Sequence, residues 1–209
     1  MSSTHWIIGD ILDLLVLNEP KTIVDIGTGF GKWGFLSRLY LELEPHKKEN
    51  WEIQIDGIEI FSSYLTLLRE FYSSIQIADM QDCKIANYDI ALCIGVIEHI
   101  PKKEGLNFLT KLIQNNKSVI VTSPKGFKKQ GALWGNIHET HVTGWSQKDF
   151  QKLGLKTKVI KKRIIAFSSN LRTTKPLRKF LPLSIRRFLL KQFNPPKHAR
   201  LNPKIQGET

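Results

Sequence analysis

The sequence predicts an α/β fold: a doubly wound sheet, mostly parallel with an antiparallel edge, followed by a basic C-terminal extension. Three observations predict it. Short apolar runs of strand length alternate with amphipathic stretches of helix length from Trp6 to Leu153. A glycine cluster, Gly27-Thr28-Gly29-Phe30-Gly31, stands where the first strand-like run gives way to a helical pattern. Two β-rich runs, 155–162 and 163–168, then follow each other with almost no room for a helix between them.

Residues 6–17 read as a helix, because Ile7, Ile8, Ile11, Leu12, Leu14, Leu15 and Leu17 make a broad apolar face, and Pro20 stops it. Residues 22–26, Thr-Ile-Val-Asp-Ile, suit a strand buried on both faces. Beyond the glycines, residues 33–43 resume helical spacing up to Pro45. The alternation repeats, with strands expected over 53–60, 75–78, 88–94 and 118–122, and helices over 63–72, 103–115 and 146–153. The last two β-rich runs form either an antiparallel pair at the sheet edge or one long bent strand. Residues 126–145 make a loop that is long for this architecture and rich in Gly, aromatics and His, which is the composition of a lid or binding loop. From Asn170 the pattern decays into Pro- and Lys/Arg-rich sequence, so the expected organisation is a domain over 1–169 and an extension over 170–209.

A chain of 209 residues with 41% hydrophobic content suits one domain with a sizeable core and an appendage. The apolar runs are too short to span a membrane, and the first residues lack the basic start and small-residue cleavage site of a signal peptide, so a cytoplasmic location is expected. Cys83 and Cys93 are too few for a disulfide framework or a metal knuckle and read as reduced core thiols. The net charge of +12 is unevenly placed. Residues 1–155 carry 16 Lys/Arg against 18 Asp/Glu, whereas residues 156–209 carry 15 Lys/Arg and the single acid Glu208. The body is nearly neutral; the basic character belongs to the extension.

Glycines at 27, 29 and 31 let the backbone turn sharply and approach a ligand. That spacing alone also suits a dinucleotide. Asp25 discriminates. A carboxylate beside the loop would repel a pyrophosphate, whereas it favours a ligand bearing an ammonium and a sulfonium.

Residues 24–34 resemble the first motif of class I S-adenosylmethionine-dependent methyltransferases, whose sheet is Rossmann-like, and later motifs follow in order. Asp56-Gly57-Ile58-Glu59-Ile60 looks like the second strand end, residues 75–80 like the third, residues 88–101 with their IEHIP exit like the fourth, and residues 119–124 like the fifth. The resemblance implies S-adenosylmethionine as cofactor, Glu59 on both ribose hydroxyls, and Asp79 accepting from the adenine amino group. It places Asp25, Gly27, Thr28, Gly29, Gly31, Ile60, Met80 and Ile94 on the same ligand. Taken singly, Asp25 could be a helix N-cap, Glu59 a solvated acid and Asp79 a turn residue. Three acids at successive strand ends, where open α/β sheets bind ligands, favour the cofactor.

Methyl transfer from a sulfonium is an in-line displacement, so alignment can supply most of the rate. A general base is needed only for a hydroxyl or a protonated amine. His99, His138 and His141 are the candidate catalytic groups, since an imidazole titrates near neutrality. The bland alternative has these histidines bonded to backbone, with Trp134 and Trp145 simply packing. Glu98, His99 and His141 also resemble three of four metal ligands in small-RNA 2′-O-methyltransferases, but the first acid of that pattern falls at Gly95, and no metal is expected.

The function expected is methylation of a small-molecule acceptor on oxygen or nitrogen, with a glycan or lipid-linked precursor at the inner membrane face among the acceptor classes. An RNA 2′-O-methyltransferase and a non-catalytic S-adenosylmethionine-binding module are the alternatives. In the extension, Ile185, Phe188, Leu189 and Phe193 fall on one helical face, with Arg186, Arg187 and Lys191 largely opposite. Such a segment suits packing on the protein or peripheral contact with an anionic membrane better than nucleic acid, for which no recognised signature accompanies it.

Overall fold

The computed structural model describes residues 5–43, 51–67 and 69–173, with the side chains of 65–69 excepted. Seven strands form one sheet: β1 (Thr22–Ile26), β2 (Gln54–Glu59), β3 (Ser74–Ile77), β4 (Ile90–Ile94), β5 (Val119–Pro124), β6 (Lys156–Ile160) and β7 (Arg163–Phe167). Their spatial order is β3-β2-β1-β4-β5-β7-β6. The pairs from β3 through β5 are parallel, while β7 runs antiparallel to both β5 and β6. This is the Rossmann-like class I methyltransferase fold, mostly parallel with an antiparallel edge. Of the two readings of residues 155–168, the hairpin is the observed one: Lys161 turns it at φ 52°, and the later strand slots inside the earlier.

Helix α1 (Ile8–Asn18) ends on Glu19, which takes the left-handed conformation just before Pro20. Helix α2 (Lys32–Arg38) starts from Gly31 at φ 72° and passes into a π turn over Leu39–Leu43, so the expected 33–43 helix is α-helical only in its first half. Arg38 and Glu42 form a buried ion pair there, and Glu42 also accepts the amides of Glu52 and Ile53. Helix α3 (Lys102–Asn115) matches its sequence pattern closely. Helix α4 (Gln147–Lys152) opens with a capping box between Ser146 and Asp149. The helix expected over 63–72 is instead two 3-10 segments, Ser62–Leu67 and Arg69–Phe71.

Alternation along the strands builds two cores. Val24, Ile26, Cys93, Val121 and Ala166 face Phe108, Leu109 and Leu112 of α3 and Phe150 of α4. Their neighbours Ile23, Ile55, Leu92, Ile120 and Ile165 face Ile11, Leu12 and Leu15 of α1 and Trp33 of α2. Period-two alternation in strands covered on both faces thus makes a three-layer sandwich. Cys93 is a buried free thiol and Cys83 a half-buried one. A compact unit runs to Arg172, and the basic extension lies in a second unit from Thr173, almost wholly outside the described residues. The amphipathic stretch expected over 184–193 is therefore not described. Among the described residues no helix is long and apolar enough to cross a membrane.

Candidate functional site

The strand order reverses direction on either side of β1, and a cavity of about 340 Å³ opens above the carboxyl ends of the strands flanking that point. Ligands in open α/β sheets bind at such a switch point, and the volume falls within the roughly 300–1,000 Å³ typical of ligand pockets. Each wall comes from a strand end or a loop. Gly27, Thr28 and Gly29 follow β1; Glu59 and Ile60 close β2; Asp79 and Met80 follow β3; Ile94 ends β4. His99, Asn136, His138 and Glu139 also line it, and Glu139 accepts the Tyr64 hydroxyl at 3.3 Å.

The glycine loop has a definite geometry. The amides of Gly27 and Thr28 both donate to the Ile58 carbonyl, at 2.8 and 3.2 Å, tying the loop to β2. Gly27 sits at φ 67°, and a Cβ there would come within 2.6 Å of Val96, so both conformation and space require glycine. Glu59 accepts the Gly29 amide through Oε2 at 2.7 Å and the Phe61 amide through Oε1 at 2.9 Å. A carboxylate offers about four lone-pair positions, so both oxygens keep capacity for a ligand's hydroxyls. The Thr28 hydroxyl is buried in the cavity wall without a hydrogen-bond partner. Asp79 lines the cavity while its Oδ1 accepts the Gln81 amide, so it is both a turn residue and a site residue.

Three residues expected at the site stand behind its surface: Asp25, Gly31 and His141 do not line the cavity. Asp25 alternates with Val24 and Ile26 along β1 and therefore points to the α1/α2 face, where it is buried. Its Oδ2 accepts the Tyr72 hydroxyl at 2.7 Å, and its Oδ1 has no hydrogen-bond partner. Burial pushes its pKa up to about 7, against the opposing hydrogen bond from Tyr72, and the nearby Glu59 adds to the rise. Nor is it a helix N-cap, since Gly31 holds that position. Tyr72 lies against Gly34 and Gly57: a Cβ at Gly34 would collide with its ring, and one at Gly57 would stand 3.1 Å from the ring and 2.6 Å from the Thr28 methyl.

Just after β4, the 3-10 turn Ile97–His99 is pinned to the long loop: the Glu98 carbonyl accepts the amides of Val142 and Thr143. The Nδ1 of His99 lies 3.1 Å from the Thr140 carbonyl, and that of His141 lies 2.6 Å from the Lys128 carbonyl. A carbonyl only accepts, so each Nδ1 carries the proton and each Nε2 keeps its lone pair. Burial also lowers the pKa of both rings, leaving them neutral at pH 7. The two imidazoles meet edge-on, with centroids 4.8 Å apart. Glu98 lies beneath them, with burial raising its pKa to about 7 while Arg163, 3.6 Å away, lowers it.

Ligand atoms of Glu98, His99 and His141 lie within 4.8 Å of one another, so these three groups can approach one divalent cation. The buried Glu98 Oε2 has no hydrogen-bond partner, which suits such a role. Gly95 supplies no fourth ligand, and Arg163 already brings positive charge to that side. His138 is exposed, lines the cavity and donates its amide to the Asn136 side chain. Trp145 packs as the bland reading had it, stacked on Phe150 with its Nε1–H donated to the Ile97 carbonyl; Trp134 does not, being 61% exposed.

Sequence reasoning missed Tyr72, Arg163 and Asn136. The first two reach the site across 47 and 65 residues of chain, and no local pattern marks them. Asn136 stands two residues before His138 in a loop already singled out, and its polarity was an available signal.

The fold is the one shared by S-adenosylmethionine-dependent methyltransferases of class I. No family model and no curated protein matches the chain. Among solved structures, a Nostoc punctiforme protein described as an O-methyltransferase superposes with a TM-score of 0.55 at 15% identity, over 76% of this chain and 54% of that one. The methyltransferase domain of bacterial CtHen1-C gives 0.53 at 22% identity, over 78% and 95% of the two chains. The magnesium protoporphyrin IX methyltransferase of Synechocystis, solved with bound S-adenosylhomocysteine, gives 0.51 at 14% identity, over 76% and 80%. The chain spans about half the length of the Nostoc protein.

Proposed function

We propose that the protein is a methyltransferase that takes the methyl group of S-adenosylmethionine and places it on an oxygen or nitrogen of a small-molecule acceptor. A glycan or lipid-linked precursor is the acceptor class we favour. The observation that carries this reading is one cavity lined by two chemically different sets of groups. One set is Glu59 and Asp79 at successive strand ends; the other includes His99, a neutral base whose Nδ1 proton is committed to backbone. The donor supplies an electrophilic methyl group on a sulfonium. Glu59 holds the ribose hydroxyls, Asp79 the adenine amino group, and the glycine loop admits the donor's amino-acid portion. Asp25, one layer back, ionises when the donor's positive charge arrives and stabilises it through the wall. His99 accepts the acceptor's proton at Nε2 as the new bond forms. Asn136, His138 and Glu139 offer hydrogen bonds to a hydroxyl-rich acceptor.

A second reading, methylation of an RNA 2′-hydroxyl, has the Glu98, His99 and His141 cluster in its favour. Incubating the protein and labelled donor with cell extracts separates the possibilities. A labelled product that resists RNase and is small or lipid-extractable supports the first reading. Label removed by RNase supports the second, and no label in any extract supports a binding module.

A further inference from the structure

Most large apolar side chains of the described residues are buried, yet one loop displays four. Phe127, Trp134, Ile137 and Val142 are 60, 61, 73 and 52% exposed. The loop's two arms run side by side, joined by hydrogen bonds from Gly126 N to the Trp145 carbonyl and from His141 N to the Gln130 carbonyl.

Its tip holds Trp134 outward by backbone geometry. Leu133 and Asn136 exchange two backbone hydrogen bonds across Trp134 and Gly135, whose φ values are 48° and 75°. A two-residue turn with positive φ at both positions favours Asn-Gly or Gly-Gly. A bulky side chain there is strained. The strain is not repaid by burial, since the indole stays in solvent and meets Phe30 only edge-on. Ile137 follows within three residues. The charge on the loop is one-sided as well: Lys125, Lys128 and Lys129 are exposed, while the one acid of residues 125–145, Glu139, is buried.

We propose that this loop docks the protein on an anionic phospholipid bilayer, with Trp134 and Ile137 entering the interfacial layer and the lysines set against the headgroups. Tryptophan is the side chain favoured at that depth, and basic residues flanking exposed apolar ones give the electrostatic half of the attraction. A single-stranded nucleic acid fits less well, because Ile137 and Val142 offer no aromatic face on which bases stack. Asn136 and His138, on either side of Ile137, line the cavity, so docking brings the cavity mouth to the membrane surface. The inference rests on the loop and not on the chemistry of the cavity. Vesicle binding is measured without donor or turnover, so its failure would leave the methyltransferase reading untouched.

The test uses the full chain with vesicles of phosphatidylcholine, with and without phosphatidylglycerol, carrying brominated acyl chains as quencher. Subtracting the emission of W134F from that of the wild type isolates Trp134. On vesicles with phosphatidylglycerol, this difference should shift to the blue and be quenched by bromine. K128Q/K129Q should weaken vesicle binding roughly 25-fold, given the attraction of each lysine to an anionic surface. The proposal is overturned if the protein binds through its basic extension alone, with Trp134 unquenched and the lysine variant unaffected. It also fails if no vesicle is bound, or if single-stranded RNA changes the Trp134 emission while vesicles leave it alone.

Discussion

Replacing Asp25 by Asn should stabilise the protein at neutral and alkaline pH while weakening its grip on the donor. Asp25 is 1% exposed, and burial raises its pKa from 3.8 to about 7. That rise converts to a penalty of about 4 kcal/mol for holding the carboxylate charged in the folded state. Its sign follows from the protons bound. Below pH 3.8 folded and unfolded chains both hold the proton and the penalty is absent. Between 3.8 and about 7 the folded protein keeps a proton that the unfolded chain releases, so stability falls as pH rises. Above about 7 the whole penalty stands. Asparagine retains an oxygen for the Tyr72 hydroxyl but must bury an amide N–H₂, which takes back about 1–3 kcal/mol. A net gain of roughly 2 kcal/mol at pH 8 corresponds to about 4–8 °C in Tm for a domain of this size. Thermal melts of D25N and wild type across the pH range supply the assay, with the difference shrinking toward pH 4. If D25N melts no higher than wild type at pH 8, the electrostatic account of Asp25 is wrong.

Two further substitutions probe the candidate base and the ring that anchors the long loop. H99N should lower the methylation rate by about 10²–10⁴ while leaving donor affinity unchanged, as expected for loss of a general base. Because burial holds the His99 imidazole below the ordinary 6.5, the wild-type rate should reach half its plateau at a pH more acid than 6.5; a rate that halves near 7 would argue against His99 as the base. W145A should cost about 3–5 kcal/mol in chemical denaturation, since the ring is 1% exposed, fills the space over Gly105 and carries the hydrogen bond to Ile97. A loss below about 1 kcal/mol would mean that the loop is not anchored through this ring.

Local pattern carried the strand ends well, because a strand covered on both faces is a dense apolar run and its end is marked by an acid or a glycine. Glu59, which closes the buried strand β2, therefore lines the cavity as read, while Asp79 lines it beside β3, an edge strand whose residues are mostly exposed. Segment 63–72 was misread because apolar residues at intervals of three and four serve a 3-10 turn as well as an α-helix. The π turn after Arg38 escaped for a similar reason, since five residues hold too little periodicity to separate helix types. Asp25 lies one layer behind the cavity lining. Its position two before Gly27 was legible, but the face it points to depends on the alternation of β1 against α1 and α2, and on a tyrosine 47 residues away. The tautomers of His99 and His141 likewise depend on loop carbonyls whose positions no sequence pattern specifies.

Titration calorimetry with S-adenosylhomocysteine, on the wild type and on E59Q, puts the whole reading at risk in one experiment. The wild type should bind one equivalent. E59Q, with its melting temperature checked, should bind about 10- to 100-fold more weakly, because charge-assisted bonds to two hydroxyls are replaced by neutral ones. Absence of any heat with the wild type, or equal affinity in the folded E59Q variant, would contradict a donor seated on the carboxyl rim of this sheet.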